Sequence, residues 1–269
     1  MNLSPEQSER FSRQILLPEI GEEGQGKLHQ ARVLLIGVGG LGSPAALYLA
    51  AAGVGTIGLV DSDLVELSNL HRQILFTNSD IGKPKAELAA ARLKLLDPSV
   101  EAIPYNLRLK ADNIMPIIKD FDLIIDGSDN FPTRYLVNDA CVLAKKTLVH
   151  GTFLQFEGQV TIIKPFAGHC YRCLFPDPPP AGSIPSCREA GALGALTGVI
   201  GTLMATEALK LILGIGDPLV GRLLRYSALA GSFRETNFFR NQACPLCGEN
   251  PTIRELIDYD WFCSGNEVK

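Results

Sequence analysis

Residues 31–61 read ARVLLIGVGGLGSPAALYLAAAGVGTIGLVD, and no charged residue occurs from 33 to 60. That apolar length is enough to cross a bilayer. Seven glycines and Pro44 argue against a membrane helix. They divide the stretch into an apolar run, a glycine cluster, an Ala/Leu run stopped by Gly53 and a second apolar run. This is the pattern of strand, turn, helix and strand. Gly37, Gly39, Gly40 and Gly42 fall in the turn and fit G-x-G-x-x-G. Such glycines let the backbone bend sharply and approach a phosphate, whose charge the following helix N-terminus favours. Asp61, nineteen residues past Gly42, is placed to accept bonds from ribose hydroxyls, with Asp63 beside it. A glycine turn of purely structural purpose is the alternative.

Outward from this unit the alternation continues. KPKAELAAARLKLLD is a helix with Pro84 near its start, and VEAIPYN, FDLIIDGSD and TLVHG are further apolar strands with helices between them. That order predicts an α/β fold with a parallel sheet covered on both faces. After Gly158 the texture changes. GQVTIIKPF is a strand, and CYRCLFPDPPPAGSIPSCREAG is a Pro/Gly-rich loop of the kind that carries function. Residues 192–213 make a mostly buried helix. RLLRYSALAGSFRETNFF supplies two more strands, expected to extend the mostly parallel sheet in antiparallel fashion.

A composition 46% hydrophobic and 20% charged provides a core and excludes global disorder. The net charge of −4, with no long basic run, argues against a non-specific nucleic-acid binder. The start, MNLSPEQSER, is polar and unlike a signal peptide, so the chain is expected in the cytoplasm without a membrane partner.

DSDLVELSNLHRQILF follows the second strand, with Arg72 nine residues past Asp63. A nicotinamide site needs no cation there. A site that cleaves a triphosphate does, because charge builds on the leaving pyrophosphate. Arg72 and Lys85 lie on the connection after the acid, Asn69 is a candidate phosphate donor, and Asp129 and Asn130 follow the strand FDLIID. A carboxylate at that edge beside phosphates suggests a magnesium ligand. Each residue also has a plainer reading: Arg72 as a surface charge, Lys85 as a solvated helix residue, Asp129 as the N-cap of the next helix. Arg10 and Arg13 precede the sheet, where a solvated helix face is the default.

Of seven cysteines, Cys170/Cys173 and Cys244/Cys247 form two C-x-x-C pairs. Two such pairs have the spacing of a four-thiolate zinc site, closed to substrate and therefore structural. Four unrelated thiols, or a redox pair, are the alternatives. Cys187, followed by Arg188 in the loop, is either an activated nucleophile or an incidental thiol. Cys141 fits the core, and no histidine shows a ligand spacing or a base–nucleophile pairing.

GVGGLG, DSDLVELSNLHRQILF, GKPKA, DGSDN, the C-x-x-C pairs and SCREAG occur together, and with them the chain resembles the MoeB/ThiF/HesA adenylyltransferases, relatives of the ubiquitin-activating enzymes. The resemblance covers residues 8–248. It implies a Rossmann-like, ATP-binding sheet in a single domain over 1–250: a helical arm (1–30), a nucleotide-binding core (31–165) and a zinc- and carrier-binding part (166–250), then a tail (251–269). It implies adenylation, with ATP and Mg²⁺, of the C-terminal glycine of a ubiquitin-like sulfur carrier of the ThiS or MoaD type. It carries ATP contacts onto Gly40, Asp61, Asn69, Arg72, Gln73, Lys85 and Asp129, gives magnesium to Asp129, and gives zinc to the paired cysteines. In homodimeric members the arginine at Arg13 enters the partner's site. The family's loop cysteine falls on Cys187. The chain ends too soon for a sulfurtransferase (rhodanese) domain, so a separate sulfur donor is expected. An NAD(P)-dependent oxidoreductase and a catalytically silent, zinc-stapled binding module are the competing readings.

Overall fold

The computed structural model describes residues 3–179 and 191–257. Three helices, α1 (Pro5–Arg10), α2 (Ser12–Ile15) and α3 (Gly21–Gln30), lead into the sheet. Residues 31–61 then form the unit read from the sequence: β1 (Arg32–Ile36), α4 (Gly42–Ala51) and β2 (Thr56–Val60). The alternation continues through α5 (Lys85–Leu96), β3 (Glu101–Tyr105), α6 (Ile114–Lys119), β4 (Leu123–Asp126), α7 (Phe131–Leu143) and β5 (Thr147–Leu154). Beyond it come β6 (Glu157–Ile163), the single-turn α8 (Tyr171–Leu174), α9 (Gly194–Leu213), β7 (Arg222–Ser227) and β8 (Ser232–Asn237).

The eight strands form one sheet in the order β3-β2-β1-β4-β5-β6-β7-β8. Pairings from β3 to β5 are parallel, and those from β5 to β8 are antiparallel. The fold is thus α/β with a mostly parallel sheet extended by antiparallel strands. β1 lies between β2 and β4, so the chain reverses its direction of travel there. In open α/β sheets this switch point leaves a crevice at the carboxyl ends of the strands.

Double-sided burial explains the uncharged strands. Val33 and Leu35 of β1 pack with Leu49, Leu93, Ile200 and Met204 from α4, α5 and α9. Leu34 and Ile36 face the other way, onto Ile114, Ile118, Tyr135 and Val137 of α6 and α7. Helix α9 has the length and composition of a membrane span, but half of that window is buried, packed mainly on α4 and β5. Part of the segment read as an irregular loop is ordered: α8 sits on α7, where Tyr171 N donates to Asn138 Oδ1 (2.9 Å) and Arg172 makes a buried bidentate pair with Asp139.

Candidate active site

A cavity of about 270 Å³ opens at the switch point, and most of the candidate residues meet there. Gly37, Gly39 and Gly40 form one wall. Gly37 has φ +81°, a left-handed conformation that side chains resist. Gly42 does not line the cavity. It lies so close beneath Gly37 that a Cβ would sit 1.9 Å from the Gly37 carbonyl oxygen, so it sets the turn that the other glycines expose.

Asp61 braces the same turn. Its Oδ2 accepts from Val38 N (3.0 Å) and its Oδ1 from Asp63 N (2.9 Å). Burial pushes its carboxyl above the ordinary range, outweighing the pull of the Lys85 charge. Lys85 is 4% exposed, which replaces the solvated-helix reading. Its Nζ lies 3.1 Å from Asp63 Oδ2, and its backbone N donates to Asp63 O. A cation so far withdrawn from water needs anionic company, and Asp63 supplies it from a half-exposed side chain.

Arg72 and Gln73 line the cavity because a tight turn brings them back to it: both backbone N–H groups donate to Asn69 O (3.1 and 2.9 Å). Asn69 itself is buried, does not line the cavity, and accepts from Glu66 N through Oδ1 (3.1 Å). It shapes the turn that presents its neighbours. Arg72 Nη1 donates to Ser68 O (2.9 Å) and lies 2.9 Å from His71 Nε2. Gln73 Oε1 is buried without a hydrogen-bond partner among the described residues, which suits a ligand donor.

Asp129 and Asn130 also line the cavity. Asn130, not Asp129, caps α7: its Oδ1 accepts from Thr133 N (2.9 Å). The capping alternative for Asp129 therefore falls, and its exposed carboxylate stays at the cavity rim. Arg13 is exposed on α2 and does not line this cavity, and Cys187 lies outside the described residues.

The four paired cysteines come together. Their sulfurs lie within 4.8 Å of one another, with Cys170–Cys173 at 3.7 Å, Cys170–Cys244 at 3.6 Å and Cys173–Cys247 at 3.4 Å. Four thiolates about 2.3 Å from a tetrahedral metal would stand about 3.8 Å apart, so the donor set and spacing fit one metal ion. The unrelated-thiol alternative is thereby overturned. Cys141 is fully buried in α7, and burial pushes its thiol well above the ordinary value.

The ThiF family matches residues 11–246. A sulfur carrier protein adenylyltransferase from Thermus thermophilus is 53% identical over 268 residues, covering 98% of this chain and 99% of the relative. The chain belongs to the ThiF family.

A second relative, the adenylyltransferase and sulfurtransferase MOCS3 of Culex quinquefasciatus, is 50% identical over 256 residues. The match covers 95% of this ThiF-family chain and 58% of that longer protein. Among solved structures, Escherichia coli MccB with MccA-N7isoASN aligns with TM-score 0.77 at 24% identity, over 89% of this chain and 75% of that one, a likeness of fold. This ThiF-family chain is an adenylyltransferase of the MoeB/ThiF type, so the oxidoreductase and silent-module readings fall away.

The cavity of the ThiF-family chain also holds residues the sequence reading passed over. Leu107, Arg108 and Leu109 follow β3, Ser128 lies in the β4–α7 turn, Thr133 in the first turn of α7, and Phe153 comes from β5. Arg108 was open to discovery, since it stands two residues past the end of the predicted strand VEAIPYN, where ligands bind in such sheets. His150 was not. It pairs with Asp126 at 3.0 Å only because β4 and β5 are neighbours in register.

Proposed function

We propose that this ThiF-family enzyme uses ATP and Mg²⁺ to adenylate the C-terminal glycine carboxylate of a ubiquitin-like sulfur-carrier protein of the ThiS or MoaD type ending in Gly-Gly. The observation that carries the reading is the meeting of a glycine turn, the cations Arg72 and Lys85 and the carboxylate Asp129 in one cavity. The name of the Thermus relative supports the acceptor class.

A carrier carboxylate oxygen attacks the α-phosphorus, the α–β phosphoanhydride bond breaks, and pyrophosphate leaves with the electron pair. The nucleophile is already ionised, so no general base is required. Catalysis rests on positioning and charge neutralisation. Gly39 and Gly40 bring backbone close to the phosphates, Asp61 and Gln73 accept from the nucleoside, and Arg72 and Lys85 meet the charge that develops on pyrophosphate. Asp129 would hold the Mg²⁺, which when bound neutralises phosphate oxygens. Cys170, Cys173, Cys244 and Cys247 hold a structural zinc that ties α8 to the C-terminal region.

The enzyme works as a cytoplasmic homodimer in which Arg13 from one copy supplies a further cation to the other's site. Sulfur reaches the activated carrier from a separate donor, a desulfurase or rhodanese. Residues 1–250 act as one catalytic unit.

ATP–pyrophosphate exchange with a thiamine-type and a molybdopterin-type carrier tests the reading. Carrier-dependent exchange is expected, abolished in Arg72→Ala and Asp129→Ala while both stay folded. Near-normal exchange in both variants would sink the assignment.

A further inference from the structure

Asp126, the last residue of β4, is completely buried. A carboxylate in such a place must have its oxygens satisfied. Oδ1 accepts from Ser128 N (2.9 Å), closing the turn that carries the chain into the cavity wall. Oδ2 lies 3.0 Å from Nδ1 of His150, which is 6% exposed and stands directly across from Asp126 in the β4–β5 register. With Nδ1 protonated, His150 donates and leaves Asp126 ionised.

The turn that Asp126 closes is built from both sides. Gly127 N donates to Ile36 O (2.9 Å), and Gly127 packs so closely on Gly37 that a Cβ on Gly37 would approach its carbonyl oxygen to 3.2 Å. Arg134 of α7 donates to Ser128 O from Nε and Nη2 (3.4 and 3.3 Å). Ser128 and Asp129 are then delivered to the cavity. Neither Asp126 nor His150 lines it, so the pair acts on ligand only through the turn.

We infer that His150 is a positioning residue for the nucleotide site: through Asp126 it fixes the 127–129 turn that sets Asp129 against the ATP phosphates. The inference rests on the ATP reading of the cavity. Burial alone would raise the Asp126 carboxyl, but the bond and charge of His150, helped by Ser128, hold it below the ordinary value. The other ionisable groups near the pair are Cys141 and Arg134 of α7, Tyr171 of α8, and His169, whose burial favours its neutral form. Burial keeps Cys141 and Tyr171 protonated, and Arg134 is engaged with Ser128. His150 is thus the donor that supports the buried charge.

The test compares His150→Leu, which removes the donor, with His150→Asn, whose Nδ2 falls where Nδ1 stood. ATP affinity is measured by calorimetry with Mg²⁺ across pH, without any carrier, alongside Tm. His150→Leu should bind ATP on the order of tenfold more weakly, the size of one ordinary buried hydrogen bond. Its affinity should also fail on the acid side at a higher pH than the wild type, because Asp126 takes up a proton sooner. His150→Asn should recover both. Wild-type affinity in folded His150→Leu, or an Asn variant no better than Leu, overturns the inference even if Tm falls in both. A wild-type protein that binds no ATP overturns the ATP reading and this inference together.

Discussion

Gly39→Ala and Gly42→Ala separate the exposed and the buried halves of the glycine turn. A Cβ on Gly42 would lie 1.9 Å from Gly37 O and 2.9 Å from Gly37 C. Both are backbone atoms of the turn, so relief requires undoing it. Overpacking of that kind costs about 3 kcal/mol or more, which lowers the Tm of a domain this size by roughly 6–12 °C. A Cβ on Gly39 meets nothing closer than Gln73 Nε2 at 3.4 Å, an ordinary contact, and Gly39 is not among the glycines with positive φ. Alanine there leaves Tm level, or raises stability by about 0.4–1 kcal/mol through the unfolded chain. The added methyl instead points at the cavity and holds phosphate away from the backbone. Losing one charge-assisted hydrogen bond, about 1.5–3 kcal/mol, weakens ATP binding about 10- to 150-fold. Thermal unfolding and ATP calorimetry on both variants read the two effects separately. If Gly39→Ala binds ATP like the wild type, the phosphate does not approach this turn and the site reading fails.

Further outcomes follow from other parts of the molecule. Metal analysis should find one zinc per chain, lost in Cys244→Ser, and chelation should lower Tm because the four sulfurs join segments far apart in the chain. Lys85→Met should abolish pyrophosphate exchange and push the Asp61 carboxyl higher still, since Lys85 is the main group opposing its burial. Asp61→Asn and Asp126→Asn should show stability differences of opposite sign in pH. Asp61 is raised by burial, so the stability of wild type relative to Asp61→Asn is greatest below the unfolded carboxylate value near ~4 and is lost as pH rises through the folded one. Asp126 is lowered, so its contribution is present above ~4 and lost as pH falls through the folded value. Unfolding scans at several pH values would read both slopes, and slopes of the same sign would refute the assignment of causes.

Local chemistry made much of this protein legible in its sequence. Residues 31–61 declared strand, turn, helix and strand because glycine and apolar periodicity act over a few residues, and the same logic found the later strands. Arg72, Lys85 and Asp129 could be placed at one edge because parallel strands separated by helices must point the same way. The C-x-x-C pairs announced a thiolate cluster because two residues between ligands suit a tight turn around a metal. Tertiary structure decided what depends on which strands are neighbours and which side chains lose water. It showed Asn130 taking the cap and leaving Asp129 to the cavity, Asn69 turned inward to build the Arg72 turn, and Lys85 buried against Asp63. It also joined Asp126 to His150, 24 residues apart, through the β4–β5 register. Spacing along the chain carries no record of such pairings, because they follow from packing between elements rather than from the geometry within one.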